Sequence, residues 1–158
     1  VTGTRGVTAL RAAGVEHTVH TYPYEARDAA QHAAAALGVA PRLMLKSLVF
    51  AAGDGFAFAL VGADAELSLR AAARALGAKS ARMATRAEAE RVTGYQVGGI
   101  SPLGARRRLP VLLDDATTGS DRLWLNAGGR GVIVELAPAD LARLTGAVAA
   151  PIADRSQS

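Results

Sequence analysis

The sequence predicts an α/β fold of the α+β kind: a mixed, largely antiparallel β-sheet, or a partly closed barrel, flanked by helices. Three observations carry that prediction. Residues 45–52 and 56–62 are apolar, β-prone runs on either side of Gly53-Asp54-Gly55, which has the turn chemistry of a hairpin. Segments with helix caps alternate with further β-prone runs instead of standing in one block. Half of the 158 residues are hydrophobic but only 4% are aromatic, so small aliphatic side chains have to fill the core. A chain of this length is expected to form a single domain over residues 1–158, burying roughly 70% of the surface its unfolded form exposes.

Taken in order, residues 7–13 read as a short helix stopped by Gly14, and residues 16–22, E-H-T-V-H-T-Y, alternate as a strand. Asp28 is placed to cap a helix over 29–37, which Gly38 ends. Pro41 opens a turn before the hairpin. Ser68 caps a helix over 69–76, with Gly77 as its stop. Thr85 and Glu88 have the spacing of a capping box and start a helix reaching about Val92. Strands are predicted at 111–114, 122–126 and 132–136. Pro138 suits the first turn of a last helix, ended by Gly146. Residues 154–158 are expected to fray.

The composition narrows the chemistry. With no cysteine there is no disulfide, no thiolate metal site and no cysteine nucleophile. No run reaches the roughly 18 apolar residues that span a bilayer, and the start lacks an apolar leader, so a cytoplasmic protein with no membrane partner is expected. A net charge of +4 is compatible with a polyanionic partner. His17, His20 and His32 have no metal-ligand spacing, and His17 and His20 fall on opposite faces of their strand; no metal or other cofactor is expected. Ser101 has no G-x-S-x-G context, and the glycines at 94–104 match neither a Walker loop nor a dinucleotide fingerprint.

What remains is a stretch rich in backbone donors, T-G-Y-Q-V-G-G-I-S-P-L-G-A-R-R-R-L-P, residues 93–110. Gly98 and Gly99 either make a tight connector or let adjacent amides close on an anion. Arg106, Arg107 and Arg108 are either a solvated face or phosphate contacts. Lys46 lies in an apolar run and shares a strand face with Leu48 and Phe50. It is either a strand-end lysine whose stem covers apolar surface or a cation held in a pocket for an anion or carbonyl.

These residues resemble the YbaK/EbsC family of aminoacyl-tRNA deacylases, related to the editing domain of bacterial prolyl-tRNA synthetases. The resemblance runs through H-T-Y at 20–22, L-K-S-L at 45–48, A-L-G-A-K at 75–79, T-G-Y-x-V-G-G-I-S-P-L-G at 93–104, R-L-P at 108–110 and G-G-R-G at 128–131. It implies the family's fold and hydrolysis of mischarged tRNA, Cys-tRNA(Pro) first, by attack of the substrate's own thiol on its ester. Ala-tRNA(Pro) as substrate, or a non-catalytic module binding tRNA 3′ ends or a synthetase, are the alternatives. By the resemblance, Lys46 holds the 3′ end, and Gly98, Gly99, Ile100, Ser101 and Pro102 form the loop that confines the ester. Tyr22, Gly94, Tyr95, Asn126, Gly128 and Gly129 contact substrate. Arg106, Arg107, Arg108 and Arg130 contact tRNA, and prolyl-tRNA synthetase is a candidate partner. Two positions depart from the family: Ile133 stands where an acidic residue is expected, and Asn126 where serine is common.

Overall fold

The computed structural model describes residues 3–155. Helix α1 (Arg5–Ala12) begins two residues before the predicted start, because Thr4 accepts a hydrogen bond from Val7 N and caps it. Strand β1 (Thr18–Thr21) precedes α2 (Ala29–Leu37). Asp28 adopts a left-handed conformation and its side chain makes no cap, a departure from the sequence expectation. Strands β2 (Leu45–Ala52) and β3 (Gly55–Gly62) pair antiparallel with Ala52 opposite Gly55, so the hairpin turn is Gly53-Asp54. Then follow β4 (Glu66–Leu67), α3 (Leu69–Ala75), β5 (Ala81–Met83) and α4 (Arg86–Thr93). Both halves of the Thr85–Glu88 capping box are present. The chain ends with β6 (Val111–Asp114), β7 (Leu123–Gly129), β8 (Val132–Leu136), α5 (Pro138–Thr145), β9 (Val148–Ala150) and β10 (Ala153–Asp154).

The strands form three sheets: β5-β2-β3-β6-β9, β1-β8-β7 and the pair β10-β4. The largest is mixed, antiparallel at β5/β2/β3 and parallel at β3/β6/β9; the second is wholly antiparallel. Of the two arrangements left open by the sequence, the mixed sheet with flanking helices is the one found, and the strands do not close into a barrel. Both faces of β3 are buried, which is why it reads as an unbroken apolar run. Phe58 and Leu60 enter a core shared with β7, β8 and α1, while Ala57, Ala59 and Val61 pack with Phe50, Leu112 and Ile152 on the other side. A third cluster under α2 joins Ala33, Ala34, Met44 and Ile133.

The end of the chain is tied down further than expected. Asp154 pairs with Glu66, and Arg155 donates to Asp64 and, at 3.1 Å, to Asp114, whose side chain is 3% exposed. Residues 156–158, also expected to fray, lie outside the described residues. Arg155→Ala leaves the Asp114 carboxylate buried beside no cation. Because Arg155 itself is partly in solvent, a loss of about 1–3 kcal/mol is expected, seen as a melting temperature lowered by roughly 3–10 °C. An unchanged melting curve would show that water satisfies Asp114.

Candidate functional site

A cavity of about 440 Å³ opens between β2, α2, the start of α4 and the loop after α4. Its position follows from where β2 finds partners. Strand β5 pairs with it only at Phe50, Ala51 and Ala52, and a single parallel bridge joins Met44 to Trp124. Between these points the sheet edge is open, and the cavity lies against it.

Lys46 enters the cavity from this edge. Its Nζ donates to Ala65 O and lies 3.7 Å from Glu66 Oε1; the lysine side chain is 22% exposed, the glutamate 84%. An ion pair to so exposed a partner adds little, so the Ala65 carbonyl is what aims the ammonium. Tyr22, from the end of β1, lines the same space. Burial, and then the neighbouring Tyr24, push its phenol above the ordinary value of 10.0, so it remains a neutral hydrogen-bond donor near pH 7.

The opposite wall is Val97, Gly98 and Ile100. Gly98 has φ +96°, and a Cβ there would meet the Tyr24 ring, 2.7 Å from its Cζ. Asn126 fixes this loop: its Nδ2 donates to Gly98 O (3.1 Å) and Gly129 O (2.9 Å), and its Oδ1 accepts from Gly128 N and Gly129 N. These bonds engage both ends of the amide. Arg130 donates to Val97 O through Nε and an Nη (3.0 and 2.9 Å) while its guanidinium lies over Tyr24, and Glu90 accepts from Val97 N. The loop is therefore held from three sides.

Of the residues singled out in the sequence, Lys46, Tyr22, Gly98, Ile100 and Asn126 line the cavity together. The others lie outside its wall. Gly99 packs against the Gly129–Arg130 backbone, and Ser101, fully buried, accepts from Leu103 N. Gly94 caps α4, and Tyr95 is buried with its hydroxyl donating to Leu103 O at 2.6 Å. Gly128 and Gly129 form the irregular end of β7 that Asn126 gathers. Pro102, Arg107 and Arg108 border a separate cavity of about 140 Å³; Arg106 is exposed beside Gly94.

Sequence reasoning did not find Tyr24, Glu90, Thr85 or Arg86. Thr85 and Arg86 stand at the cavity rim because the capping box sets the start of α4 there. Hydrogen bonds from Arg82, and then from Thr85 N, hold the Glu88 carboxyl down from 4.5 to about 2, so this corner keeps its anion at any physiological pH. Capping-box spacing was visible in the sequence; its place beside the cavity depends on β5.

A model of the aminoacyl-tRNA editing domain matches residues 25–144, which include every cavity residue but Tyr22. The chain belongs to the aminoacyl-tRNA editing domain family. EbsC of Enterococcus faecalis, whose name offers it as a candidate Cys-tRNA(Pro)/Cys-tRNA(Cys) deacylase, is 30% identical over 135 residues, 80% of this chain and 82% of EbsC. A crystal structure of a candidate trans-editing enzyme for prolyl-tRNA synthetase superposes with a TM-score of 0.83 at 31% identity, covering 95% of both chains. A proline–tRNA ligase of Thermosipho africanus is 41% identical over 69 residues, 44% of this chain and 12% of the ligase. The editing-domain fold is thus shared along nearly the whole chain, and the activity is that of an aminoacyl-tRNA deacylase.

The cavity lining holds no histidine, aspartate, glutamate or cysteine. Ile133, 3% exposed, stands opposite Asn126 and His20 in the sheet and joins Ala30, Ala33 and Met44 in an apolar wall. The arrangement can grip an ester between a cation, a phenol and backbone groups. It offers no carboxylate or imidazole to activate water.

Proposed function

We propose that the substrate is Cys-tRNA(Pro), cleaved in trans by its own cysteine thiol. The thiol adds to the ester carbonyl, the C–S bond forms, the bond to the ribose oxygen breaks, and that oxygen takes the proton. Water then opens the released thioester. The absence of any carboxylate, imidazole or thiol from the cavity lining, and so of an ordinary base for a hydroxyl or a water, carries this reading. A thiol with an ordinary pKa near 8.5 is already partly ionised at neutral pH, and tethering it to its electrophile supplies the proximity. The likeness to EbsC supports the same substrate.

The protein's part is to hold the ester. Lys46 binds the 3′ end, the Asn126-fixed loop closes over the acyl group, and Tyr22 donates at the edge. The exposed Arg106, Arg107, Arg108 and Arg130 serve as tRNA phosphate contacts. Similarity to a ligase segment supports prolyl-tRNA synthetase as the partner that selects the tRNA, in the cytoplasm.

A second substrate, Ala-tRNA(Pro), is favoured by Ile133, which replaces a charge with an apolar wall suited to a methyl group. Deacylation of Cys-tRNA(Pro), Ala-tRNA(Pro) and Pro-tRNA(Pro) separates the cases. Cys-tRNA(Pro) should be cleaved fastest, with Ser-tRNA(Pro) strongly slowed. Equal rates for cysteine and serine would point to an attacking water. Turnover of no mischarged species would leave a binding module instead of an enzyme.

A further inference from the structure

Ser47 sits in the middle of the open edge of β2, lining the cavity next to Lys46. Strand geometry fixes where its backbone points. Val49 O accepts from Ala84 N on the β5 side, and two residues earlier Ser47 must present its N–H and C=O in that same direction, away from β3. The β2–β3 register runs without interruption from Leu45 to Ala52, so the alternation holds. Among the described residues no strand is paired with Ser47 on that side, β7 bridging only at Met44, just before β2, and the Ser47 Oγ is buried without a hydrogen-bond partner. A strand residue inside a cavity with an unpaired donor, acceptor and hydroxyl is costly unless something in the cavity pairs with it.

Neighbouring polar groups are already engaged. The Asn126 amide, Gly98 O and Val97 O are held within the loop, and Lys46, itself a cation, cannot accept from a substrate ammonium. No carboxylate lines the cavity to receive a substrate ammonium.

We propose that the aminoacyl group of the substrate pairs with Ser47 as a one-residue antiparallel β-bridge. An aminoacyl ester carries an N–H donor and a C=O acceptor on the two sides of one Cα, which is what a hydrogen-bonded antiparallel partner exchanges. The α-ammonium donates to Ser47 C=O, and the ester carbonyl accepts from Ser47 N–H. The Oγ accepts a further hydrogen bond from the ammonium. The same N–H then faces the oxygen on which negative charge develops when the carbonyl is attacked, so a backbone amide supplies the oxyanion contact. This rests on the aminoacyl-ester reading of the cavity and adds the atoms that hold it.

The test is binding, which needs no turnover. The probes are 3′-deoxy-3′-(L-cysteinylamido)adenosine and its 3-mercaptopropionylamido analogue, which lacks only the α-amine, both under reducing conditions. The amine should tighten binding by about 10- to 100-fold, the worth of one or two charge-assisted hydrogen bonds. The Ser47 amide resonance should shift and become protected from exchange with the first probe. Ser47→Pro removes the N–H without breaking a bond to β3, so the fold should survive while affinity for the cysteinyl probe falls at least about 10-fold. Equal affinity for the two probes, or a Ser47 resonance unmoved by a bound probe, overturns the bridge and leaves the editing function standing. Failure of both probes to bind overturns the aminoacyl-ester reading as well.

Discussion

Gly98→Ala is expected to lower kcat/KM for mischarged tRNA by about 100-fold in a protein that still folds. Two independent costs meet at this residue. At φ +96° an L side chain is strained, and the added Cβ runs into Tyr24. Tyr24 cannot simply turn aside. Arg130 lies over its ring and holds Val97 O, so movement of the ring loosens the next residue of the wall. The easier escape is for the loop to move, which breaks the Asn126–Gly98 bond and displaces the wall that confines the ester. Displacements near 1 Å at a reacting group cost about 100-fold in rate. The stability cost should be smaller, about 1–3 kcal/mol, since the core does not change. Combining Gly98→Ala with Tyr24→Ala should restore part of the activity by removing the collision but not the strain. Wild-type activity in Gly98→Ala would show that the loop does not confine the substrate.

The same residues show how far the sequence could be read. The β2–β3 hairpin, the α4 capping box and the helix stops at Gly38 and Gly146 were legible because each depends on neighbours within a few positions. The strands β4, β5, β9 and β10 were not. They have two or three residues each and no periodicity of their own, and exist because Ala81–Met83 meets the end of β2, or Ala153–Asp154 meets β4. The cavity is a product of that long-range pairing: β5 stops at Phe50 and leaves Ser47 without a partner. By residue type Lys46 and Gly98 were candidates with a plain structural alternative each, and only the family resemblance favoured a site. Which of the surrounding glycines face the cavity could not be named, because Gly94, Gly99 and Gly128 are equally consistent with a loop wall in one dimension. Their neighbours in space decide it. Tyr24 had no signal at all, since its role is to occupy the space that a side chain on Gly98 would need.

Lys46→Met is expected to reduce kcat/KM by about 100- to 1,000-fold, the usual effect of losing a preorganised charged donor. Methionine keeps most of the apolar stem, so the loss measures the ammonium rather than packing. Nζ has three donors, and Ala65 O takes one, leaving hydrogen bonds for a ligand. Lys46→Arg should not rescue, because a planar guanidinium cannot keep the Ala65 contact and present the same point charge to the cavity. Glu66→Gln serves as the control: with Glu66 mostly in solvent, its loss should change activity less than about 3-fold. The partition of the Lys46→Met effect distinguishes two roles. If Lys46 grips a phosphate of the 3′ end, KM rises and kcat holds; if it faces the ester oxygen, kcat falls with it. The Ser47 bridge favours the first outcome, because it gives the ester oxygen a backbone donor and leaves the ammonium for the phosphate. Undiminished activity in Lys46→Met would remove Lys46 from the site without touching the deacylase assignment.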